Sequence, residues 1–243
     1  MTTIVALGDS ISFGVGDVRG AGVGPGWSGR LATAIGSAHH QRLAWPGARL
    51  SEMAKSQVGA TVIAKPDIAL VSIGGNDAIC RGFDATQFST ELRKSLSTLQ
   101  AAASSVVVAT LPDISRTCQI PRVLRPHLRQ RIELLNCAIV QAAHDSEVCI
   151  LDRWNDEGAY LARHLASDRV HPSPCGYQAL AEQTAVLLGI PVIGAAKQPS
   201  VEQARPGWWL AAHGVPWALK RSARLLPTVV SMLRHDSASG FSR

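Results

Sequence analysis

Thr3-Ile4-Val5-Ala6-Leu7-Gly8-Asp9-Ser10 lies at the start of the chain. Thr3–Leu7 is a β-rich apolar run, and Gly8 permits a tight exit that lifts Ser10 onto the end of the strand. The same grammar recurs along the sequence. Arg42–Trp45 reads as a weak second strand, Ile68–Ile73 as a clear third, then Ser105–Thr110 and Val148–Leu151. Helical periodicity fills the intervals at Trp27–Ile35, Leu50–Ala64, Thr86–Ala102, Val123–Ala143 and Ser173–Leu188. In the fourth helix Leu124, Leu128, Ile132, Leu135 and Ile139 return at three- and four-residue spacing, which makes one buried face. Alternating β and α elements predict an α/β fold with a five-stranded parallel sheet and helices on both faces. Ligands of such sheets bind beyond the carboxyl ends of the strands. Ser10 follows a predicted strand there, and so do Gly47 and Asn76.

About 160 residues later the chain reads Asp168-Arg169-Val170-His171-Pro172-Ser173. Serine is a poor nucleophile unless a base takes its proton, and the base must be held in the right tautomer by a third group. Ser10, His171 and Asp168 are the residue types that this chemistry needs. The three-residue spacing in a loop stiffened by Pro172 can fold the carboxylate back to the imidazole. The alternative is a backbone carbonyl as the orienter of His171. Ser12 is the rival serine, but it lacks the preceding Gly-Asp turn. Asn76, after Gly74-Gly75, offers an amide that donates to an oxyanion without competing for protons. Gly47, after Pro46, leaves its own N–H unobstructed. Either could instead be only a turn former, and capping is the plainer role for Asp77.

The blocks Gly8-Asp9-Ser10, Ala44-Trp45-Pro46-Gly47-Ala48, Ile73-Gly74-Gly75-Asn76-Asp77 and Asp168 to His171 come in the order Ser, Gly, Asn, His. Over roughly residues 3–190 the chain resembles the SGNH hydrolases, also called GDSL esterases and lipases. The resemblance implies a flavodoxin-like three-layer α/β/α sandwich and a serine esterase without a metal or organic cofactor. It implies Ser10 as nucleophile, His171 as base and Asp168 as its orienter. The oxyanion hole would be the backbone N–H groups of Ser10 and Gly47 with the Asn76 side chain. Many members have asparagine where this chain has Arg42, which bears on local loop packing. A carboxylic ester is the expected substrate, with a thioester open to the same groups. Acyl transfer to an acceptor alcohol is the nearest alternative, and a non-catalytic lipid or carbohydrate binding module the rival from another class.

Other signatures are absent or misplaced. There is no G-x-S-x-G elbow. Gly24-Pro25-Gly26-Trp27-Ser28-Gly29 matches G-x-G-x-x-G but lies well after the first strand, where dinucleotide binding does not place it. Gly14 to Gly29 is expected to be a flexible loop beside the acyl pocket. The remaining histidines share no metal-ligand spacing. Arg122, Arg125 and Arg129 share a helix face and read as a solvated row ahead of a site for an acidic head group.

At 243 residues, 46% hydrophobic and 17% charged, the chain can bury a full α/β core. The division expected is a hydrolase domain over residues 1–195 and a linker with a short helical extension over 196–243. Net charge is +6, but residues 203–243 hold six basic and one acidic residue, so the basic excess belongs to the tail. No nucleic-acid partner is inferred from it. Trp208, Trp209 and Trp217 with Lys220, Arg221, Arg224 and Arg234 are expected to pack on the domain or on a second copy of the chain. Contact with an anionic membrane surface is the other reading. Five cysteines without a C-x-x-C pattern fit reduced thiols, and no leader sequence is apparent. A cytoplasmic location is expected, peripheral to a membrane at most.

Overall fold

A computed structural model describes residues 2–19, 22–36 and 39–193. The expected extension beyond residue 195 lies outside the described residues. Strand β1 (Thr3–Gly8) is followed by a one-turn helix α1 (Ser10–Phe13), a small antiparallel ribbon of β2 (Val18–Arg19) and β3 (Gly22–Val23), and helix α2 (Gly26–Ala34). Then come β4 (His39–Arg42), α3 (Leu50–Glu52), a π-helical turn (Met53–Gln57) and α4 (Val58–Ala64). The second half runs β5 (Ile68–Ser72), α5 (Gly75–Ala78), α6 (Ala85–Gln100), β6 (Ser105–Ala109), α7 (Arg125–Asp145), β7 (Cys149–Leu151) and α8 (Pro174–Leu187). The main sheet has five parallel strands in the order β4-β1-β5-β6-β7. This is the doubly wound, flavodoxin-like order, with the direction of winding reversing at β1.

The period of two in each strand explains the layers. Val5, Leu7, Ala69, Val71, Val106 and Val108 face one core, which they share with Leu92, Leu96 and Leu99 of α6 and Ile132, Leu135 and Ile139 of α7. Ile4, Ala6, Ile68, Leu70, Val107 and Ala109 face the other, built with Trp27 and Leu31 of α2 and Tyr177, Leu180 and Ala181 of α8. The buried face expected of the fourth helix therefore exists, with Ile132, Leu135 and Ile139 at its centre.

Three elements depart from the sequence reading. The second strand is His39–Arg42, not Arg42–Trp45, paired from Thr3↔His39 to Ala6↔Arg42. As an edge strand with alternating exposure it needs no apolar run, so its polar sequence hid it. The expected helix over residues 50–64 contains a π-turn. The segment from Gly14 to Gly29 is not a plain loop: it carries the β2–β3 ribbon and the start of α2. Asp17, 1% exposed, ties it down by accepting from Gly26 N at 2.8 Å and from Arg30 Nε and Nη2 at 2.9 and 2.7 Å.

Candidate active site

Ser10 begins α1 directly at the carboxyl end of β1. Gly8 has a φ of +123°, and a Cβ there would overlap the Ser72 carbonyl of β5, so the turn requires glycine. Asp9 caps α1, its carboxylate accepting from Ile11 N at 3.1 Å. β4 stops pairing with β1 at Ala6, which would leave the outward N–H and C=O of Gly8 unsatisfied. Gln57 takes that place. Its Oε1 accepts from Gly8 N at 2.6 Å and its Nε2 donates to Gly8 O at 3.0 Å. The π-turn in the 50–64 helix presents this side chain, which is 1% exposed. Sequence reasoning missed Gln57. Its signal was a glutamine among Leu50, Met53 and Thr61 on the inward face.

The long loop before α8 returns His171 to Ser10. His171 Nε2 lies 2.9 Å from Ser10 Oγ, and His171 Nδ1 lies 2.6 Å from Asp168 Oδ2. The carboxylate, not a backbone carbonyl, therefore orients the imidazole. Asp168 Oδ1 also accepts from Val170 N and His171 N, each at 3.0 Å. Arg169 adopts a left-handed φ of +59° to close this turn. Burial alone would raise the Asp168 pKa. The hydrogen bond and charge of His171, with the His171 and Val170 N–H groups, outweigh it and hold the pKa at about 2. The loop is stitched further by Ala166 N donating to His171 O and Ser173 N to His164 O, both at 2.8 Å. Gly16 packs on Pro172 O and His171 Cβ, leaving no room for a side chain. The Asp17–Arg30 clamp thus acts on a segment that touches the histidine loop.

Asn76 sits in α5, just beyond β5, and is 8% exposed. Its Nδ2 donates to Ala48 O at 2.8 Å, which uses one of its two amide hydrogens. The acceptor belongs to the residue after Gly47, whose φ of +89° makes the turn. Asn76 therefore ties the Gly47–Ala48 turn to the end of β5. Asp77 caps the earlier helix α3, accepting from Leu50 N at 3.2 and 3.3 Å. Burial pushes its pKa up to about 6, against the Leu50 N–H and the Arg49 charge, which lower it. Ser12, the rival serine, is fully buried and accepts from Ser72 N at 3.2 Å. Arg42 Nη1 donates to Phe13 O at 2.8 Å and Gly24 O at 3.1 Å, so the residue that differs from the expected asparagine joins α1 to the following segment. In the arginine row, Arg129 pairs with Asp113 at 3.0 Å and Glu133 at 2.9 Å and stacks over Trp154.

A cavity of about 130 Å³ opens beside these groups, lined by Ser10, Asn76 and His171 and then by Ile11, Ile79 and Leu111. Among the described residues, no three histidine, cysteine, aspartate or glutamate side chains converge as metal ligands do. No disulfide joins any of the five cysteines among the described residues. No helix among the described residues is long and apolar enough to cross a membrane.

A parallel five-stranded sheet with a serine, histidine and aspartate at the carboxyl ends of its strands defines a hydrolase of the flavodoxin-like class. Residues 6–179 match the model of the GDSL-like lipase/acylhydrolase family, and the chain belongs to that family of ester-cleaving enzymes. The fold is shared with the lipase/acylhydrolase from Enterococcus faecalis, at 20% identity and TM-score 0.62 over 80% of this chain and 100% of that one. It is shared with the acetyl xylan esterase Axe2 from Geobacillus stearothermophilus, at 18% identity and TM-score 0.60 over 80% and 97%. The esterase EstA from Pseudoalteromonas gives 18% identity and TM-score 0.59 over 78% and 97%. Comparison with curated proteins gave no match.

Proposed function

We propose that the protein hydrolyses carboxylic esters through an acyl-enzyme on Ser10. The observation that carries this reading is the unbroken relay from Ser10 Oγ through both nitrogens of His171 to Asp168. His171 takes the Ser10 proton as Oγ attacks the ester carbonyl. Asp168 keeps Nδ1 protonated and stabilises the imidazolium. The tetrahedral oxyanion is received by the N–H groups of Ser10 and Gly47 and by the second amide hydrogen of Asn76. His171 then protonates the leaving alcohol, and a water activated by the same imidazole releases the acid. The esterase names of Axe2 and EstA favour an oxygen ester over a thioester.

The similar EstA structure is described as inhibited by monoethylphosphonate, which suggests the probe. A fluorophosphonate should label this chain once, on Ser10, and abolish hydrolysis of nitrophenyl esters. Labelling elsewhere, or activity that survives labelling of Ser10, would overturn the mechanism. We propose in addition that residues 1–195 form the catalytic unit and that the basic tail makes contact with a second copy or with a membrane surface, in a cytoplasmic protein.

A further inference from the structure

The wall of the cavity is mostly apolar, with Ile114, Leu165 and Val170 continuing the surface begun by Ile11. Arg153 breaks this pattern. It follows β7, lines the cavity and is 6% exposed. So enclosed a guanidinium requires a paired charge. Asp156 supplies it through Nη1, which also donates to Gln183 Oε1 at 2.6 Å. Those two bonds use both hydrogens of Nη1. Nε and Nη2, the side of the guanidinium with parallel N–H groups, carry no protein acceptor among the described residues. Neither atom is among the fully enclosed polar atoms that lack a partner. Both atoms therefore keep some exposed surface, and the cavity is the space that Arg153 lines.

The same fork of Arg30 is filled by a carboxylate, with Nε and Nη2 donating to the two oxygens of Asp17. That pair shows what the open fork of Arg153 fits: two coplanar oxygens. The other polar groups on this wall are engaged. Thr110 Oγ1 donates to Asp152 at 3.2 Å and accepts from the backbone N–H groups of Arg153 and Trp154. His164 Nδ1 donates to Gly158 O at 2.7 Å. Three strand spacings, roughly 14 Å, separate β1 from β7, so Ser10 and Arg153, which both line the cavity, are rooted behind strands that far apart.

We propose that Arg153 reads the far end of the substrate: the arm seated in the cavity crosses an apolar stretch and ends in a second carboxyl function, free or esterified, held by the Nε/Nη2 fork. The inference rests on the ester-hydrolase reading above. It makes the preferred substrate an ester that carries two carboxyl groups.

The test compares kcat/KM on the full chain for three matched substrates: a nitrophenyl half-ester of a dicarboxylic acid, its methyl-capped diester, and the alkyl ester of equal length. A second set carries the extra carboxyl function in the alcohol arm. In one of the two sets the carboxyl-bearing substrates should be preferred over the alkyl ester by about tenfold or more. Arg153→Met should bring that ratio to within about twofold. It strands Asp156, so the double variant R153M/D156N is measured beside it. Arg153→Lys keeps the ion pair but not the planar fork and should also lose most of the preference. Each ratio is taken within one preparation, so a partly unfolded variant still reports it. Preference for the free acid means the fork holds an anion; equal preference for the capped form means it holds the carbonyl oxygen, and both support the proposal. A ratio near one in both sets, or one unchanged by the variants, overturns it. Failure to cleave any ester, together with an unlabelled Ser10, would instead overturn the ester-hydrolase reading itself.

Discussion

At the scale of single residues, the site assigns different losses to different side chains. Ser10→Ala should remove acyl-enzyme formation and leave only the slow hydrolysis that the oxyanion donors and binding supply; burst kinetics with a nitrophenyl ester read this directly. Asn76→Ala should lower kcat by about 10²–10³, with a smaller change in KM, because an oxyanion donor acts mainly in the transition state. It also releases Ala48 O, so a fall in melting temperature should accompany the kinetic loss. A raised KM at normal kcat would make Asn76 a ground-state contact. The two carboxylates of the site with the largest shifts carry opposite pH signatures. Asp168, held at about 2 against an ordinary 3.8, stabilises the fold above the ordinary value, and that stability is lost as pH falls through about 2. Asp77, raised to about 6, has the reverse sign: its ionised form is disfavoured in the fold, so stability drains away as pH rises from about 4 to about 6. Asp77→Asn keeps an acceptor for Leu50 N and should gain about 1–3 kcal/mol near neutral pH and nothing near pH 4. Urea unfolding at both pH values would show it, and a gain equal at both would rule out the titration as its cause.

At the scale of elements, the question is what holds the strand ends in register with one another. Gln57 replaces the missing β4 neighbour of Gly8, so Gln57→Ala should orphan one buried donor and one acceptor at the root of the nucleophile turn. The expected cost is about 2–5 kcal/mol of stability, with a fall in kcat, although the side chain is one residue removed from the Asp9-Ser10 turn. Gln57→Glu should not rescue it, since a carboxylate cannot donate to Gly8 O. Normal stability in Gln57→Ala would dismiss this role. The same comparison shows what the sequence could reveal. Ser10 and Asn76 sit in blocks directly behind apolar strands, and Asp168 and His171 share one short block before the last helix, so each block is readable beside its element. Gln57 acts through a partner 49 residues away, and Arg153 is held by Gln183, 30 residues away, as well as by the nearby Asp156; no local pattern encodes the distant contacts. β4 was misplaced because an edge strand sheds the hydrophobic signature that the central strands carry on both faces. The Asp17–Arg30 pair escaped notice because a buried ion pair looks, in sequence, like two surface charges.

At the scale of the whole molecule, the family match over residues 6–179 and the serine–histidine–aspartate set all precede the basic tail. Removing residues 203–243 should therefore leave hydrolysis of a small soluble ester intact. It should instead change self-association or vesicle binding. Light scattering and co-sedimentation with anionic vesicles separate these outcomes, and salt-sensitive vesicle binding by the full chain alone would favour the membrane surface. An insoluble truncated chain would place the tail in the core. The hydrogen bond between Ser10 and His171 joins residues 161 positions apart. During synthesis Ser10 emerges well before His171, so on the proposed mechanism a ribosome-bound chain is inert until His171 has left the tunnel and β1 has been flanked on both sides. Reactivity toward a phosphonate is thus a clock for the closing step of folding, and stalled chains long enough to release His171 from the tunnel, set beside shorter ones that retain it, would show the hand move.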